Sequence, residues 1–234
     1  MPGAMLRSCN LMHVVMPVAL ALAASVLPPG PATAAVLAGT VELLDQGKPS
    51  AEVTAAIVYF VPGGGARPAP PSTAEVMTRN RRFLPRTLAV SPGSTVRFPN
   101  DDPITHNVFS VSPGNRFDLG RYGKGRGRAQ RLDTPGVVRV FCNVHRDMAA
   151  FVLVLETPFS AQPEAGGRFV IDGVPAGAGT LHVWHPRAEA WSGPVQVPAV
   201  DSVKVTLNAT LPAVPGHLDK FGKPYREAAD GSYR

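Results

Sequence analysis

Proline and glycine interrupt this chain so often that long helices are excluded from most of it. The 234 residues include 25 prolines and 23 glycines, and a proline inside a helix removes a hydrogen bond and clashes with the preceding turn. Beyond residue 34, no stretch keeps apolar residues at helical spacing. Short runs rich in Val, Thr and Phe recur instead between turn residues, a pattern typical of strands. The chain is therefore predicted to be all-β.

The strand-like runs fall into two groups separated by a polar, proline-containing stretch at 157–164. Their spacing favours β-sandwiches or barrels over βαβ units. The first group comprises residues 36–44, 53–61, 87–90, 95–99, 107–111, 137–142 and 150–155, and the second comprises 166–171, 180–186, 195–200 and 203–209. Two glycine-rich stretches, 62–72 and 120–131, are predicted to be loops, and the second of them to be mobile.

The first 34 residues have the organisation of a signal peptide. Arg7 is their only charged residue, an apolar run follows at 11–27, and the small residues Ala32-Thr33-Ala34 match a signal peptidase site. The apolar run is short for a membrane span and contains His13 and Pro17. We therefore expect cleavage after Ala34, export to the periplasm or beyond, and no transmembrane span afterwards; an uncleaved anchor is the alternative.

Export makes the cysteine count informative. Cys9 lies in the predicted signal peptide, so the mature chain would keep Cys142 as its single cysteine. A lone cysteine in an oxidising compartment is buried and inert, paired with another chain, or bound to a metal.

Cys142 belongs to a cluster of residues that suit a metal. The segment 142–148 has the spacing C-x2-H-x2-M and supplies Cys142, His145 and Met148. His106 begins a second strand-like run after a turn-rich loop. A thiolate, two imidazoles and a weak axial thioether are the ligand set of type 1 copper, and they serve both Cu(I) and Cu(II). The combination predicts one copper ion held by these four residues.

The same residues also have other interpretations. Cys142 and Met148 would also serve as ordinary core residues, since free cysteine is often buried. Structural zinc usually takes more cysteines, or a carboxylate, in place of a thioether. A Cys–His nucleophile pair would leave the methionine unexplained. Taken together, the spacing favours copper over these alternatives.

These motifs carry a resemblance. The stretch from about residue 83 to 155 resembles the cupredoxins, the plastocyanin, pseudoazurin and amicyanin group of blue copper proteins, in its F-x-N…H-N-V-F and P-G-V-V segments and its short amicyanin-type loop. The resemblance implies a Greek-key β-sandwich and ligand roles for His106, Cys142, His145 and Met148. It also implies that the Asn107 side chain braces the two ligand segments by hydrogen bonds.

The remainder of the chain extends beyond a simple cupredoxin. Residues 158–211, with G-R-F-V-I-D-G-V-P-A-G and L-H-V-W-H-P, resemble carboxypeptidase-regulatory-like or transthyretin-like β-sandwich modules. In joining two such parts, the chain also resembles exported proteins described as methylamine-utilisation-like. The expected organisation is a signal peptide at 1–34, a cupredoxin-like domain at 36–157, a smaller β-sandwich at 158–211 and a disordered tail at 212–234.

The positive charge of the chain suggests how it could bind a partner. Loss of Arg7 would lower the formal net charge from +6 to +5, and one cluster of cations could steer docking of an acidic partner. That cluster contains Arg121, Lys124, Arg126 and Arg128. Solvated loop charges are the simpler interpretation, and few aromatic residues accompany these cations, which argues against nucleic acid.

Three functions fit the sequence. The leading hypothesis is a non-enzymatic electron carrier that passes single electrons to or from a redox partner, such as a c-type cytochrome or a dehydrogenase. The second is a periplasmic protein that binds and delivers copper. The third is an envelope-binding module whose copper site is vestigial.

Overall fold

The computed structural model describes residues 34–200 and 202–225. Within them, every regular element except one 3-10 helix, Ala51–Ala55, is a β-strand, which confirms the predicted all-β class. The predicted signal peptide lies outside the described residues, apart from Ala34. In the part of the chain that is described, no helix has the length and apolar character needed to cross a bilayer.

The strands are numbered in chain order. They are β1 (Ala34–Asp45), β2 (Lys48–Pro49), β3 (Ile57–Pro62), β4 (Thr73–Glu75), β5 (Met77–Arg79), β6 (Arg82–Leu84), β7 (Thr87–Val90), β8 (Ser94–Asn100), β9 (His106–Ser110), β10 (Phe117–Tyr122), β11 (Gly125–Leu132), β12 (Gly136–Phe141), β13 (Ala149–Val154), β14 (Ser160–Ala161), β15 (Arg168–Pro175), β16 (Gly177–Trp184), β17 (Trp191–Val197) and β18 (Val203–Asn208).

One sandwich, here called the terminal sandwich, is built from both ends of the described chain. One of its sheets has the order β15-β1-β18, with β2 beside β1, and the other has the order β14-β3-β16-β17. Alternating residues of these strands form one buried core that includes Leu37, Phe60, Phe169, Leu181 and Leu207. This alternation of buried and exposed residues is the period-2 pattern of strands that cover a core on one face.

A second sandwich, here called the inserted sandwich, comprises β4–β13. One sheet has the order β11-β8-β5-β6, with β4 beside β8, and the other has the order β10-β9-β12-β13-β7. The core between them includes Phe98, Val108, Val138 and Val152. Cys142 and Met148 belong to the same buried cluster, so the predicted copper ligands lie at one end of this core.

The strand pairing divides the chain differently from the boundaries expected at 36–157 and 158–211. Strand β1 pairs antiparallel with β15 and parallel with β18, and β3 pairs with β16. Residues 34–62 therefore belong with 160–208, and the inserted sandwich lies between them in sequence. The difference arises because a period-2 pattern identifies a strand but carries no information about its partner.

The stretch 120–131, predicted to be a mobile loop, instead contains the end of β10 and most of β11, which belong to different sheets of the inserted sandwich. One of its glycines, Gly127, permits close contact between strands: it has φ +64°, and a Cβ there would lie 1.7 Å from the carbonyl oxygen of Phe98 on β8. Such a position accepts only glycine. The hairpin of β5 and β6 was not predicted, since its strands are three residues long and its turn residues are Asn80 and Arg81.

The candidate metal centre

Three of the four predicted ligands meet at one end of the inserted sandwich. His106 is the first residue of β9, and Cys142 follows the last residue of the neighbouring strand β12. The two strands are paired near this end, with Phe141 opposite Phe109. His145 lies in the loop that joins β12 to β13. Strand pairing and this short loop therefore bring Cys142 and His145 into contact with His106, which lies 36 and 39 positions earlier in the chain.

The donor atoms of these three residues form a compact triangle. The Cys142 Sγ lies 3.8 Å from Nδ1 of His106 and 3.7 Å from Nδ1 of His145. The two Nδ1 atoms are 3.1 Å apart. Among the described residues, this is the one group of three or more His, Cys, Asp or Glu side chains whose ligand atoms lie close enough to share a metal ion.

The triangle has the size that a transition-metal ion requires. A point about 2.1 Å from all three atoms follows from the three side lengths, and metal–nitrogen and metal–sulfur bonds measure about 2.0–2.1 Å and about 2.3 Å. Thiolate and imidazole are the donors that copper and zinc prefer.

Met148 completes the ligand loop. It is buried and precedes β13 directly, and its backbone N–H donates to the His145 carbonyl oxygen at 3.1 Å. Its own carbonyl oxygen accepts from the Cys142 N–H at 3.3 Å. These two bonds close the loop upon itself and place the Met148 side chain in the same core cluster as Cys142.

The Cys142 thiol is fully buried at 0% exposure. Burial raises its pKa, and backbone N–H groups of Asn107, Val144 and His145 that point at the sulfur oppose this effect. The Val144 N–H lies 3.4 Å from Sγ. These donors would stabilise a thiolate once a cation has displaced the thiol proton.

The two histidines have different environments. His106 is completely buried, whereas His145 is partly exposed and lies beside the exposed residues Arg146 and Asp147. Burial lowers the pKa of both rings; the contact with Asp102 opposes this for His106 without reversing it, and the charge of His106 lowers the pKa of His145 further. Both imidazoles therefore favour the neutral form, which is the form that binds metals.

A carboxylate that sequence reasoning missed lies beside His106. The Asp102 Oδ2 is 2.9 Å from Nε2 of His106, and both side chains are buried. Burial acts to raise the pKa of Asp102, but bonds from the backbone N–H groups of Arg81 and Asn80, and from His106, outweigh it and lower the pKa overall. One sequence feature could have indicated this contact: Asp102 lies four residues before His106 in the same turn-rich loop.

Asn107 makes a contact different from the one that the cupredoxin resemblance implies. Its Nδ2 donates to Asp118 Oδ1 on β10 at 2.7 Å, and its Oδ1 is buried without a partner among the described residues. Within the ligand loop, Asn143 Oδ1 instead accepts from the Lys220 backbone N–H at 2.7 Å. The Asn107 backbone N–H, not its side chain, faces the Cys142 sulfur.

The cations predicted to form a docking surface lie on β10, on β11 and in the connection between these strands, and all four are exposed. Arg121 donates to Oγ1 of Thr105, the residue before His106, at 3.3 Å. Its positive charge acts to lower the pKa of Cys142. Lys124 forms an ion pair with Asp101 at 3.2 Å. Arg128 lies over the Tyr122 ring, 5.8 Å from its centroid. On β10, Arg121 lies opposite Asn107, the residue that follows His106.

The segment 212–225, predicted to be disordered, packs against the ligand loop. The Tyr225 hydroxyl donates to the Cys142 carbonyl oxygen at 3.1 Å. The His217 ring stacks on Phe141 with centroids 3.9 Å apart and planes 10° from parallel. The composition of this segment is polar, but the rings of His217 and Tyr225 contact the inserted sandwich and hold the segment against it.

The Lys220 ammonium extends these contacts to the neighbouring strand. Its Nζ lies 2.6 Å from Asp118 Oδ2, and the same carboxylate holds the side chain of Asn107. Burial would raise the pKa of Asp118, but Lys220, Asn107 and the Gly120 N–H lower it overall. The segment thus contacts Asn143, which follows Cys142, and is linked through Asp118 to Asn107, which follows His106.

No family model and no curated protein matches this chain. Solved structures that are similar to it include a pseudoazurin from Sinorhizobium meliloti, with a TM-score of 0.31 and 22% identity over 37% of this chain and 76% of that one. An amicyanin from Paracoccus versutus has a TM-score of 0.33 and 20% identity over 42% of this chain and 97% of that one. A purple cupredoxin from Nitrosopumilus maritimus has a TM-score of 0.30 and 22% identity over 35% of this chain and 99% of that one.

Proposed function

We propose that this chain is an exported, non-enzymatic electron carrier with one type 1 copper ion, bound by His106, Cys142, His145 and Met148. The observation that carries the proposal is the triangle of one sulfur and two Nδ1 atoms, with sides of 3.8, 3.7 and 3.1 Å. Copper bound by such donors alternates between Cu(I) and Cu(II) and so supplies one electron at a time.

Each proposed ligand has a role that its position supports. Cys142 and His106 are fully buried and would exclude water from the site. His145 is partly exposed, so its ring edge is the proposed route by which an electron leaves or enters. The backbone N–H and C=O of Met148 form hydrogen bonds that close the loop upon itself, which would limit rearrangement when the charge of the site changes.

Burial also favours a carrier over a protein that delivers copper. A delivery site must pass its metal to another protein, which requires ligands that the recipient can reach. Here the thiol and one imidazole lie beneath the surface, both at 0% exposure. We therefore expect slow loss of copper to a chelator and rapid, reversible one-electron oxidation and reduction.

The test of this proposal is the absorption and electron-spin spectrum of the copper-loaded chain. We expect an intense visible absorption from thiolate-to-copper charge transfer in the Cu(II) form, which disappears on reduction and returns on oxidation. A copper-loaded chain that stays colourless would exclude the type 1 centre and favour the vestigial-site alternative. Fast removal of copper by a chelator would favour delivery.

Replacement of Met148 by leucine is expected to keep the copper but to raise its reduction potential. A thioether donates weakly to Cu(II), and its loss removes stabilisation from the oxidised state. A tenfold loss of affinity for Cu(II) relative to Cu(I) corresponds to about 59 mV, and we expect a rise of at least this size by voltammetry. Met77→Leu, at the other methionine of the mature chain, is the matched control. A Met148→Leu potential equal to that of the control would remove Met148 from the ligand set.

The β10–β11 cations are proposed to dock an acidic redox partner, of which a c-type cytochrome or a dehydrogenase are examples. Arg121 is exposed, and its positive charge acts on the buried Cys142 thiol by lowering its pKa. Positive charge at the edge of a redox site raises the encounter rate with anions, and salt suppresses the effect.

A small anionic oxidant tests this surface without knowledge of the partner. We expect the double variant Arg121→Gln/Arg126→Gln to be oxidised by ferricyanide about three- to tenfold more slowly at low ionic strength. The difference should shrink as salt is added. Arg168→Gln makes the same kind of change on the terminal sandwich, where Arg168 pairs with Glu164, and should react normally. Equal rates in all three proteins would reject the docking surface.

A further inference from the structure

The proposed ligand set leaves one buried charge unused. Asp102 is 5% exposed, and its Oδ2 lies 2.9 Å from Nε2 of His106, on the side of the ring opposite the donor atom Nδ1. An ionised carboxylate in such a place requires several hydrogen bonds, because its desolvation is costly.

The turn between β5 and β6 supplies those bonds. The backbone N–H of Asn80 donates to Asp102 Oδ1 at 2.6 Å, and that of Arg81 donates to Oδ2 at 2.9 Å. Both turn residues have left-handed φ values, 53° and 55°, which turn successive N–H groups toward one anion. The Asp102 backbone is itself fixed, since its N–H donates to Asn100 Oδ1 at 2.9 Å.

This arrangement determines which nitrogen of His106 carries the proton. A carboxylate accepts hydrogen bonds and cannot donate them when ionised, so Nε2 of His106 must be the N–H. The neutral ring then has its lone pair on Nδ1, which faces Cys142 Sγ at 3.8 Å. The chain thus holds a potential metal donor in its binding form by contacts of its own residues.

We propose that Asp102 is a positioning residue that fixes the His106 tautomer and favours the oxidised state of the bound ion. The inference deepens the proposed function and rests on it. A carboxylate behind a ligating imidazole makes the ring a stronger donor. Its negative charge also favours the more highly charged ion, and the effect is large because the carboxylate is shielded from water.

The neighbouring residue provides a matched control. Asp101 carries the same charge one position away, but its side chain is 40% exposed and pairs with Arg79 at 2.9 Å and Lys124 at 3.2 Å. Among the described contacts, Asp101 makes none with His106. Removal of its charge therefore tests general electrostatics, whereas removal of the Asp102 charge tests the contact with the ligand.

The experiment compares the reduction potentials of the copper-loaded wild type, Asp102→Asn and Asp101→Asn. Loss of an outer partner of a ligand typically changes metal affinity about 10–100-fold. Because the carboxylate favours the more highly charged ion, the affinity for Cu(II) should fall more than that for Cu(I). The reduction potential of Asp102→Asn should then rise by about 59 mV for each tenfold change in the ratio of the two affinities. Asp101→Asn should change little. Equal potentials for Asp102→Asn and Asp101→Asn would overturn the inference.

A second measurement needs neither copper nor a variant. Nitrogen-15 NMR of the metal-free wild type distinguishes the two neutral forms of a histidine ring, and we expect His106 to be protonated at Nε2. Protonation at Nδ1 would overturn the inference even if Asp102→Asn failed to fold. A wild type that forms no thiolate–copper absorption would instead refute the proposed function, while the NMR result would still decide whether Asp102 fixes the His106 tautomer.

Discussion

Replacement of Cys142 by alanine is expected to abolish the intense visible absorption of the copper-loaded protein. The absorption depends on a sulfur–copper bond, and the described residues place one thiol beside His106 and His145, that of Cys142. The expected effect is complete loss of the band and at least a tenfold loss of copper affinity, since one of three strong donors is gone. Absorption spectroscopy and equilibrium dialysis measure the two effects.

Cys9→Ala is the control for this variant. Cys9 lies in the predicted signal peptide, so its replacement should leave the spectrum of the exported protein unchanged. The metal-free Cys142→Ala protein should retain its β-sheet circular dichroism, because the loss of one small side chain leaves the core of the inserted sandwich in place. Full colour in Cys142→Ala would eliminate the proposed centre.

Replacement of Leu37 by alanine is expected to lower the free energy of unfolding by about 2–5 kcal/mol, the usual cost of a cavity in a packed core. Leu37 is fully buried in the core of the terminal sandwich, opposite Ile171 on β15. Val36→Ala, at a side chain that is 55% exposed, should cost less than about 0.5 kcal/mol. Urea denaturation followed by circular dichroism measures both.

A double-mutant cycle makes this a test of strand pairing. Combined with Ile171→Ala, Leu37→Ala should show a coupling energy of about 0.5–3 kcal/mol, as residues in contact do. Combined with Val138→Ala, in the core of the inserted sandwich, it should be additive to within about 0.5 kcal/mol. Additivity with Ile171→Ala together with coupling to Val138→Ala would place β1 with the inserted sandwich, as the sequence alone suggested.

Much of the candidate site could be predicted because it is local. Residues 142–148 carry a thiol, an imidazole and a thioether within one loop, and short spacing alone brings them together. His106 was predicted with them although it lies 36 residues from Cys142, since its chemistry completes the ligand set. Strand bounds were also close: the run predicted at 87–90 coincides with β7, and that at 95–99 lies within β8.

Residues around the ligands were harder to predict. Asp102 lies in a polar, proline-containing turn, where an aspartate usually caps a turn, and its burial depends on the distant β5–β6 hairpin. Asn107 was assigned a bracing contact by resemblance, but Asp118 on β10 competes for its side chain. Tyr225 and His217 lie in a polar segment whose composition gives no sign of a docking site.

The amino-acid sequence by itself determined the all-β class, the positions of most strands and the candidate ligands, because strand periodicity and short-range spacing are local properties. The tertiary structure alone decided that β1 and β3 pair with β15, β16 and β18. It also decided that a buried carboxylate lies behind His106 and that the segment 212–225 lies against the ligand loop. Each of these features depends on contacts between residues that are distant in sequence. Because the hydrophobic effect is non-directional, a local sequence pattern does not show which distant surfaces pack together.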